Sequence, residues 1–478
     1  MDRREFIKFG VCAAGLPLGV RAADRVGPPY RVGDAADRVG PPYRVGDAAL
    51  PVAGAYDLVV AGGSATGVCA AVTAARAGLR VALVEGNAFF GGTATAGLVP
   101  VWHSLWSTDG KEQIIRGLTE EIENRLIARG EAKAMEKTNP DVGCYFNVAA
   151  MQLVLDELVT AERNITPYLK AHVVAAEMAG PGRIASAVIE DKSGRRALKA
   201  KWFVDATGDA DLAARAGFET WTLPKDDLQS QSLCAIFANV GRIKAKYPKF
   251  SFGAVMKAGF RAGVFRHIYQ WSAPVIGAPG LEFVCAARVN ACDPTVAADL
   301  TKGLFETRRQ VRALVDLVNR DYPMPAGERL SLVTIGSDLG VRESRHIKAK
   351  YRVTEMDVLR GRHFEDCIGR GTYNVDIHGG AGITFRELNG KEYTMVVDKD
   401  GEVTWKKSRW RDDKGPYPTY YEIPLSALIP EKAENLICAG RMIDCERNAY
   451  GALRVMVNCN QMGEAAANAV VKALDLNK

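Results

Sequence analysis

Long apolar runs are missing from this chain: no uninterrupted hydrophobic stretch reaches the ~18–20 residues that a membrane-spanning helix needs. An excess of one charge is also missing. The formal balance is only +6 over 478 residues, and no Lys/Arg stripe interleaved with aromatics appears. A nucleic-acid partner is therefore not expected. The ten cysteines include no CxxC pair and no Cys/His group at zinc spacing. That disfavours a CxxC dithiol relay and predicts no metal site. Cys285 with Cys292, and Cys438 with Cys445, stand near each other in sequence and read as core thiols. Histidine is scarce at six residues. The rest is ordinary for a globular protein: 47% hydrophobic and 25% charged. This length suits one large domain or two to three smaller ones, each able to bury a core.

The chain opens Met1-Asp2-Arg3-Arg4-Glu5-Phe6-Ile7-Lys8, followed by a modest apolar stretch from Phe9 to Val20. Paired arginines ahead of such a stretch resemble a twin-arginine export signal, with Ala22 and Ala23 as a cleavage site. The expectation is a signal peptide over 1–23 and a periplasmic or secreted protein. A perfect tandem repeat comes next, AADRVGPPYRVGD at 22–34 and again at 35–47. Each copy is too short for a solenoid unit and carries Pro-Pro and two glycines, so residues 24–54 read as a linker.

Tyr56 to Ala61 reads as a buried strand running straight into Gly62-Gly63-Ser64-Ala65-Thr66-Gly67. An alanine-rich helix follows from Val68 to Ala77, closed by Gly78. Leu79 to Val84 is a second apolar strand, and it ends in Glu85. Strand, glycine turn, helix, strand and acid make a dinucleotide fingerprint in its required context. Gly62 permits the tight turn and Gly67 the close helix–strand packing. The helix N-terminus offers N–H groups and a positive dipole to a pyrophosphate, and Glu85 can accept the hydroxyl protons of a ribose. Ser64 replaces the middle glycine of the pattern; its hydroxyl is expected to donate to the pyrophosphate. Whether the dinucleotide is NAD or FAD is not decided by this turn.

Three later blocks bear on that choice: Phe89-Phe90-Gly91-Gly92-Thr93-Ala94-Thr95-Ala96-Gly97-Leu98, Asp205-Ala206-Thr207-Gly208-Asp209-Ala210-Asp211, and Asn435-Leu436-Ile437-Cys438-Ala439-Gly440-Arg441 before a helix from about Met456 to Leu474. Together with the fingerprint they resemble the FAD-dependent oxidoreductases of the glutathione-reductase-like superfold, from about Tyr56 to Leu474. The resemblance implies an α/β fold: a Rossmann-like, discontinuous FAD-binding domain (55–211 and 420–478) with an inserted α+β substrate domain (212–419). It implies that Gly62, Gly63, Ser64, Ala65, Thr66 and Gly67 hold the pyrophosphate and Glu85 the ribose. Gly91, Gly92 and Thr93 would line the flavin's phosphate side. Val173, in a strand from Tyr168 to Glu177, would offer backbone bonds to adenine. Gly208 and Asp209 would approach the pyrophosphate, Gly440 and Arg441 the ribityl chain, and the turn through Val455 the pyrimidine end of the flavin.

For the chemistry, a cation near the pyrimidine ring would stabilise reduced flavin, and Arg454 stands at the right place in the sequence. A general base is sought among the histidines. His378, after Val375-Asp376-Ile377 and before Gly379-Gly380, is the first choice; His103 is the second. Arg342 and Arg345 are candidate clamps for an anionic substrate. No second glycine fingerprint follows downstream, so electrons are expected to exchange with an external partner: oxygen, a quinone or a redox carrier. The first functional reading is dehydrogenation of a small polar substrate (alcohol, sugar-like or hydroxy acid). The alternatives are C=C reduction of the fumarate-reductase type, which clustered arginines would favour, and a non-catalytic electron-transfer subunit, which an open apolar patch would favour.

Overall fold

The computed structural model describes residues 50–134, 143–379, 382–412 and 414–475. The export signal, the tandem repeat and Gly380 lie outside the described residues.

The first strand, β1 (Val52–Ala61), is longer than the apolar run that announces it. Its leading residues Val52-Ala53-Gly54-Ala55 are small and half-exposed, and they pair only with the strand Gly194–Asp205. The described chain therefore enters the sheet at Val52, within the stretch expected to be linker. From Leu58 onward β1 also pairs, in parallel, with β2 (Val81–Glu85). Here the side chains alternate between two apolar cores. Leu58 and Val60 face the helical layer, while Val59 and Ala61 face the opposite side. A parallel strand covered on both faces needs this unbroken hydrophobicity.

The sheet runs Ile165–Leu169, β2, β1, Gly194–Asp205, Arg183–Asp191, His172–Gly180. The long strand Gly194–Asp205 serves two partners. Its first half pairs antiparallel with Arg183–Asp191, and Phe203–Asp205 pairs in parallel with Leu436–Cys438. That second pairing returns the C-terminal segment to the dinucleotide layer. The single strand expected from Tyr168 to Glu177 is two strands. Lys170, at φ 56°, turns the chain between Ile165–Leu169 and His172–Gly180.

Helix α1 (Ala65–Arg76) packs against the last helix, Met456–Asp475. The approach leaves no room for side chains: a Cβ on Gly463 would lie 2.2 Å from the Thr66 carbonyl oxygen. Over the cavity side stands an antiparallel sheet ordered Trp271–Pro274, Leu281–Val289, Gln231–Ala238, Ser331–Ile335. The long amphipathic helix Ala297–Asp321 backs it with a separate apolar core. A second antiparallel meander, Val375–Gly379 through Val403–Arg409, brings its first strand against the helix Arg447–Leu453. No helix of the described residues is long and apolar enough to cross a membrane.

Candidate active site

A continuous cavity of about 850 Å³ runs from the glycine turn, past the end of β2, to the wall formed by the antiparallel sheet. Its dinucleotide end is built by backbone constraint. Gly62 (φ +98°) and Gly208 (φ +86°) both occupy the left-handed region that favours glycine. A Cβ on Gly62 would stand 2.4 Å from the Ala206 carbonyl oxygen, so the two loops touch through their main chains. Gly67 lies behind the turn, where a Cβ would be 1.9 Å from the Gly62 carbonyl oxygen. Buried Asp205 fixes the second loop by accepting from Thr207 N (3.0 Å), Thr207 Oγ1 (2.7 Å) and Ala213 N (3.0 Å).

Glu85 is buried, and burial raises its carboxyl above the ordinary value. Its Oε2 accepts from Gly63 N (2.8 Å) and its Oε1 from Asn87 N (2.7 Å). The acid thus ties the glycine turn to β2 before any ligand is considered, and each oxygen keeps a lone pair for a hydroxyl. Ser64 behaves differently from the expectation of a pyrophosphate donor. Its Oγ donates to the Ala206 carbonyl (3.3 Å) and accepts from Gly67 N (3.3 Å), making it the N-cap of α1. Ala65, Thr66, Gly91, Gly92, Thr93, Val173, Gly440 and Val455 all line the cavity, as do Ser64 and Glu85. Gly63 and Gly67 support the turn from outside it.

Asp209 and Arg441 also line the cavity, and they pair at 3.1 Å. A second contact, from Ser344 Oγ (2.6 Å), holds the Asp209 carboxylate. Arg441 keeps a buried Nη1 with no hydrogen-bond partner. An unsatisfied guanidinium donor beside two glycine cradles and a helix N-terminus fits the phosphates of a dinucleotide.

The other end is dominated by arginine. Arg342 lines the cavity, its Nη1 held by the Ser230 carbonyl (2.7 Å) and Ser232 Oγ (2.5 Å). The Arg342–Arg345 run is irregular backbone, neither helix nor strand, that follows a bridge between Ser232 and Gly340. Arg345 turns away to the Asp209 carbonyl (3.3 Å) and the Asp211 carboxylate (3.5 Å), so only Arg342 of the expected clamp faces the cavity. Arg454 donates to Asp376 Oδ2 at 2.9 Å and leaves its Nε buried and unpartnered.

His378 sits in the strand Val375–Gly379 and lines the cavity with both ring nitrogens engaged. Arg288 Nη2 lies 2.8 Å from Nδ1, and Asp376 Oδ2 lies 3.0 Å from Nε2. Since a guanidinium only donates, Nδ1 must accept and Nε2 carries the proton. Burial, reinforced by Arg342 and Arg288, pushes the imidazolium down to about 3 against the pull of Asp376. In this arrangement His378 has no free lone pair for a substrate proton. It orients Arg288. His103 also lines the cavity, with its ring 5.6 Å from that of Tyr373.

Arg288 itself lies outside the sequence reading. It projects from the strand Leu281–Val289, is only 7% exposed, and stacks 4.2 Å over the Tyr269 ring. Its Nε is buried without a partner. Burial, with Arg342 adding repulsion, lowers its guanidinium to about 10. A lone arginine inside a hydrophobic strand was the available signal. Asp376 is held well below the usual carboxylate range: burial opposes this, but His378, Arg454 and Arg342 outweigh it.

The family model described as FAD dependent oxidoreductase matches residues 57–478. The chain belongs to that family. It is an FAD-dependent oxidoreductase, and FAD is its cofactor. Among solved structures, the oxidoreductase is similar to a geranylgeranyl bacteriochlorophyll reductase-like protein from Thermoplasma acidophilum (14% identity, covering 88% of this chain and 79% of that one, TM-score 0.43). It is also similar to p-nitrophenol 4-monooxygenase from Pseudomonas putida (14%, 63% and 70%, TM-score 0.35) and to a triple mutant of the flavin-dependent brominase Bmp2 (12%, 88% and 81%, TM-score 0.40). No curated protein matches it.

Proposed function

We propose that this oxidoreductase exchanges a hydride with a small carboxylate-bearing substrate, and that oxidation of a hydroxy acid is its forward reaction. The observation that carries the carboxylate is the arginine cluster, which oxidation of a hydroxy acid and reduction of an enoate would both use. Arg342 and Arg454 line one end of the cavity and Arg288 lies directly behind its lining residues His378 and Tyr269, where Asp376 is the buried carboxylate and His378 is neutral. Buried excess positive charge is costly unless an anion neutralises it. Neutral alcohols and sugars, part of the first reading, do not use that charge. Bound FAD supplies the hydride acceptor, N5 of its ring. The protein's part is to hold the substrate carboxylate on Arg288 and Arg342, with Tyr269 and Trp271 as apolar wall. A deep cavity lined by buried arginines, in place of an open apolar patch, speaks against a non-catalytic electron-transfer subunit.

A second reading, saturation of a C=C bond conjugated to a carboxylate, is favoured by one observation. The His378 lone pair is occupied by Arg288, so the ring offers no base for an alcohol proton. Anaerobic mixing separates the two. Hydroxy acids that bleach the oxidised flavin, where matched neutral alcohols do not, support the forward reading. Enoates that reoxidise the reduced flavin support the second. Faster bleaching by neutral alcohols would overturn the anionic substrate altogether.

The electron partner is proposed to be external: oxygen, a quinone or a redox carrier. Export by the twin-arginine route, giving a periplasmic or secreted enzyme, is proposed from Arg3 and Arg4 and suits a protein that takes up its flavin before leaving the cytoplasm. Replacing both arginines by lysine should retain the yellow protein in the cytosol; unchanged export would remove this proposal.

A further inference from the structure

The sheet that closes the cavity carries two thiols that the reaction above leaves unused. Cys234 and Cys285 stand directly opposite each other in the antiparallel ladder between Gln231–Ala238 and Leu281–Val289. Opposed residues of such a ladder point to the same face, with Cα atoms ~4.5–5.5 Å apart. That spacing lies inside the ~4.4–6.8 Å range a disulfide can bridge. The face is the cavity's. Cys234, Ile236, Phe283 and Cys285 join the apolar core of the dinucleotide layer, whereas Leu233, Ala235, Val284 and Ala286 pack on the other side. Both thiols are buried from bulk solvent, both line the cavity, and they interact directly. The ladder is irregular between Leu233 and Cys234, which gives local slack beside the pair.

The surroundings suit a thiolate. The Cys285 thiol lies below its ordinary range because Cys234 donates to it, with Arg342, Arg288 and Ser232 adding to this against burial. Cys69, Cys438 and Cys445 sit in apolar core, where burial pushes their thiols up. A low thiolate threshold next to a second thiol is the arrangement that exchange chemistry needs.

We propose that Cys234 and Cys285 form a redox-active dithiol that closes to a disulfide within the cavity FAD shares. Both S–H bonds break and one S–S bond forms. The two electrons and two protons leave with the two-electron reduction of oxidised FAD; in reverse, reduced FAD reopens the bridge. The dithiol is thus a second electron store on this chain, in the same cavity as the cofactor. It rests on the FAD assignment, which flavin bleaching reports separately.

The test uses the holoenzyme, equilibrated anaerobically in mixtures of reduced and oxidised dithiothreitol, acid-quenched, unfolded and alkylated. The proposal expects Cys234 and Cys285 to lose alkylation together in one two-electron transition, yielding a single cross-linked peptide. Cys459, which lines the same cavity but donates to the Arg454 carbonyl, should remain alkylated throughout. After oxidation, wild type should take up about twice the reducing equivalents per FAD that Cys234→Ser takes. Full alkylation of both cysteines in every mixture would overturn the proposal on wild-type protein alone. So would equal titration of wild type and either serine variant, Cys234→Ser or Cys285→Ser.

Discussion

Replacing Arg288 by methionine removes a charge while keeping a long, flexible side chain in its place. In the structure this guanidinium donates to His378 Nδ1 at 2.8 Å, stacks 4.2 Å over Tyr269, and keeps a buried Nε unpartnered. If the substrate's carboxylate docks there, the variant loses at least one charge-assisted hydrogen bond, about 1.5–3 kcal/mol. At about 1.4 kcal/mol per factor of ten, anion affinity should fall roughly ten- to hundredfold. Folding stability should move little, within about 1 kcal/mol. The lost stacking and His378 contacts are offset by relief of a charge buried beside Arg342. The assay is a titration of the holoenzyme with oxalate, followed by the flavin difference spectrum, with denaturant unfolding run in parallel. Arg288→Lys should bind oxalate with intermediate affinity. Unchanged oxalate affinity in Arg288→Met would refute the reasoning, and a large stability loss without an affinity change would make Arg288 a structural residue.

Gly67→Ala forces a methyl to 1.9 Å from the Gly62 carbonyl oxygen, so it should cost about 3 kcal/mol or more and strip FAD; a yellow, wild-type-stable variant would contradict the cradle. Ser64→Gly should keep FAD affinity and cost only a few tenths of a kcal/mol, whereas Ser64→Ala should lose about 1 kcal/mol of stability, because the hydroxyl caps α1. His378 has a folded pKa of about 3 against an unfolded value near 6.5, so the unfolded chain binds the extra proton in that window. Stability should therefore fall as pH drops from 6.5 towards 3, by up to about 1.4 kcal/mol per pH unit from this group. His378→Gln should flatten that limb of a denaturant-midpoint profile. Asp376→Asn leaves the Arg454 charge buried and unpaired, and unfolding should show a loss of about 3–5 kcal/mol.

The dinucleotide layer was legible because its constraints are local. Gly62, Gly67 and Glu85 follow one another within a single strand–turn–helix–strand unit, and their spacing alone dictates the turn. The second role of Ser64 is local too: a serine ahead of a helix is an N-cap, and that bond competes with donation to a ligand. The turn at Lys170 was hidden because a positive φ in lysine has no sequence mark, and the apolar pattern runs through it. Arg288 left a signal, a lone arginine in an apolar strand, but its partners and the Cys234–Cys285 pair were beyond reach, since both depend on which strand lies beside which. Arg345 does not join Arg342 at the cavity because the Asp209 carbonyl and the Asp211 carboxylate, distant in sequence, hold it. His378 was placed in the cleft correctly, but its partner Arg288, which decides its protonation, comes from a distant strand.

The most direct measurement is an absorbance spectrum of the purified protein, before and after acid precipitation, with chromatography of whatever is released. The account predicts flavin bands, about one FAD per chain freed into the supernatant, and loss of that colour in Gly67→Ala. A colourless protein that FAD cannot reconstitute would contradict it, leaving the glycine cradle and the arginine wall without the cofactor that joins them.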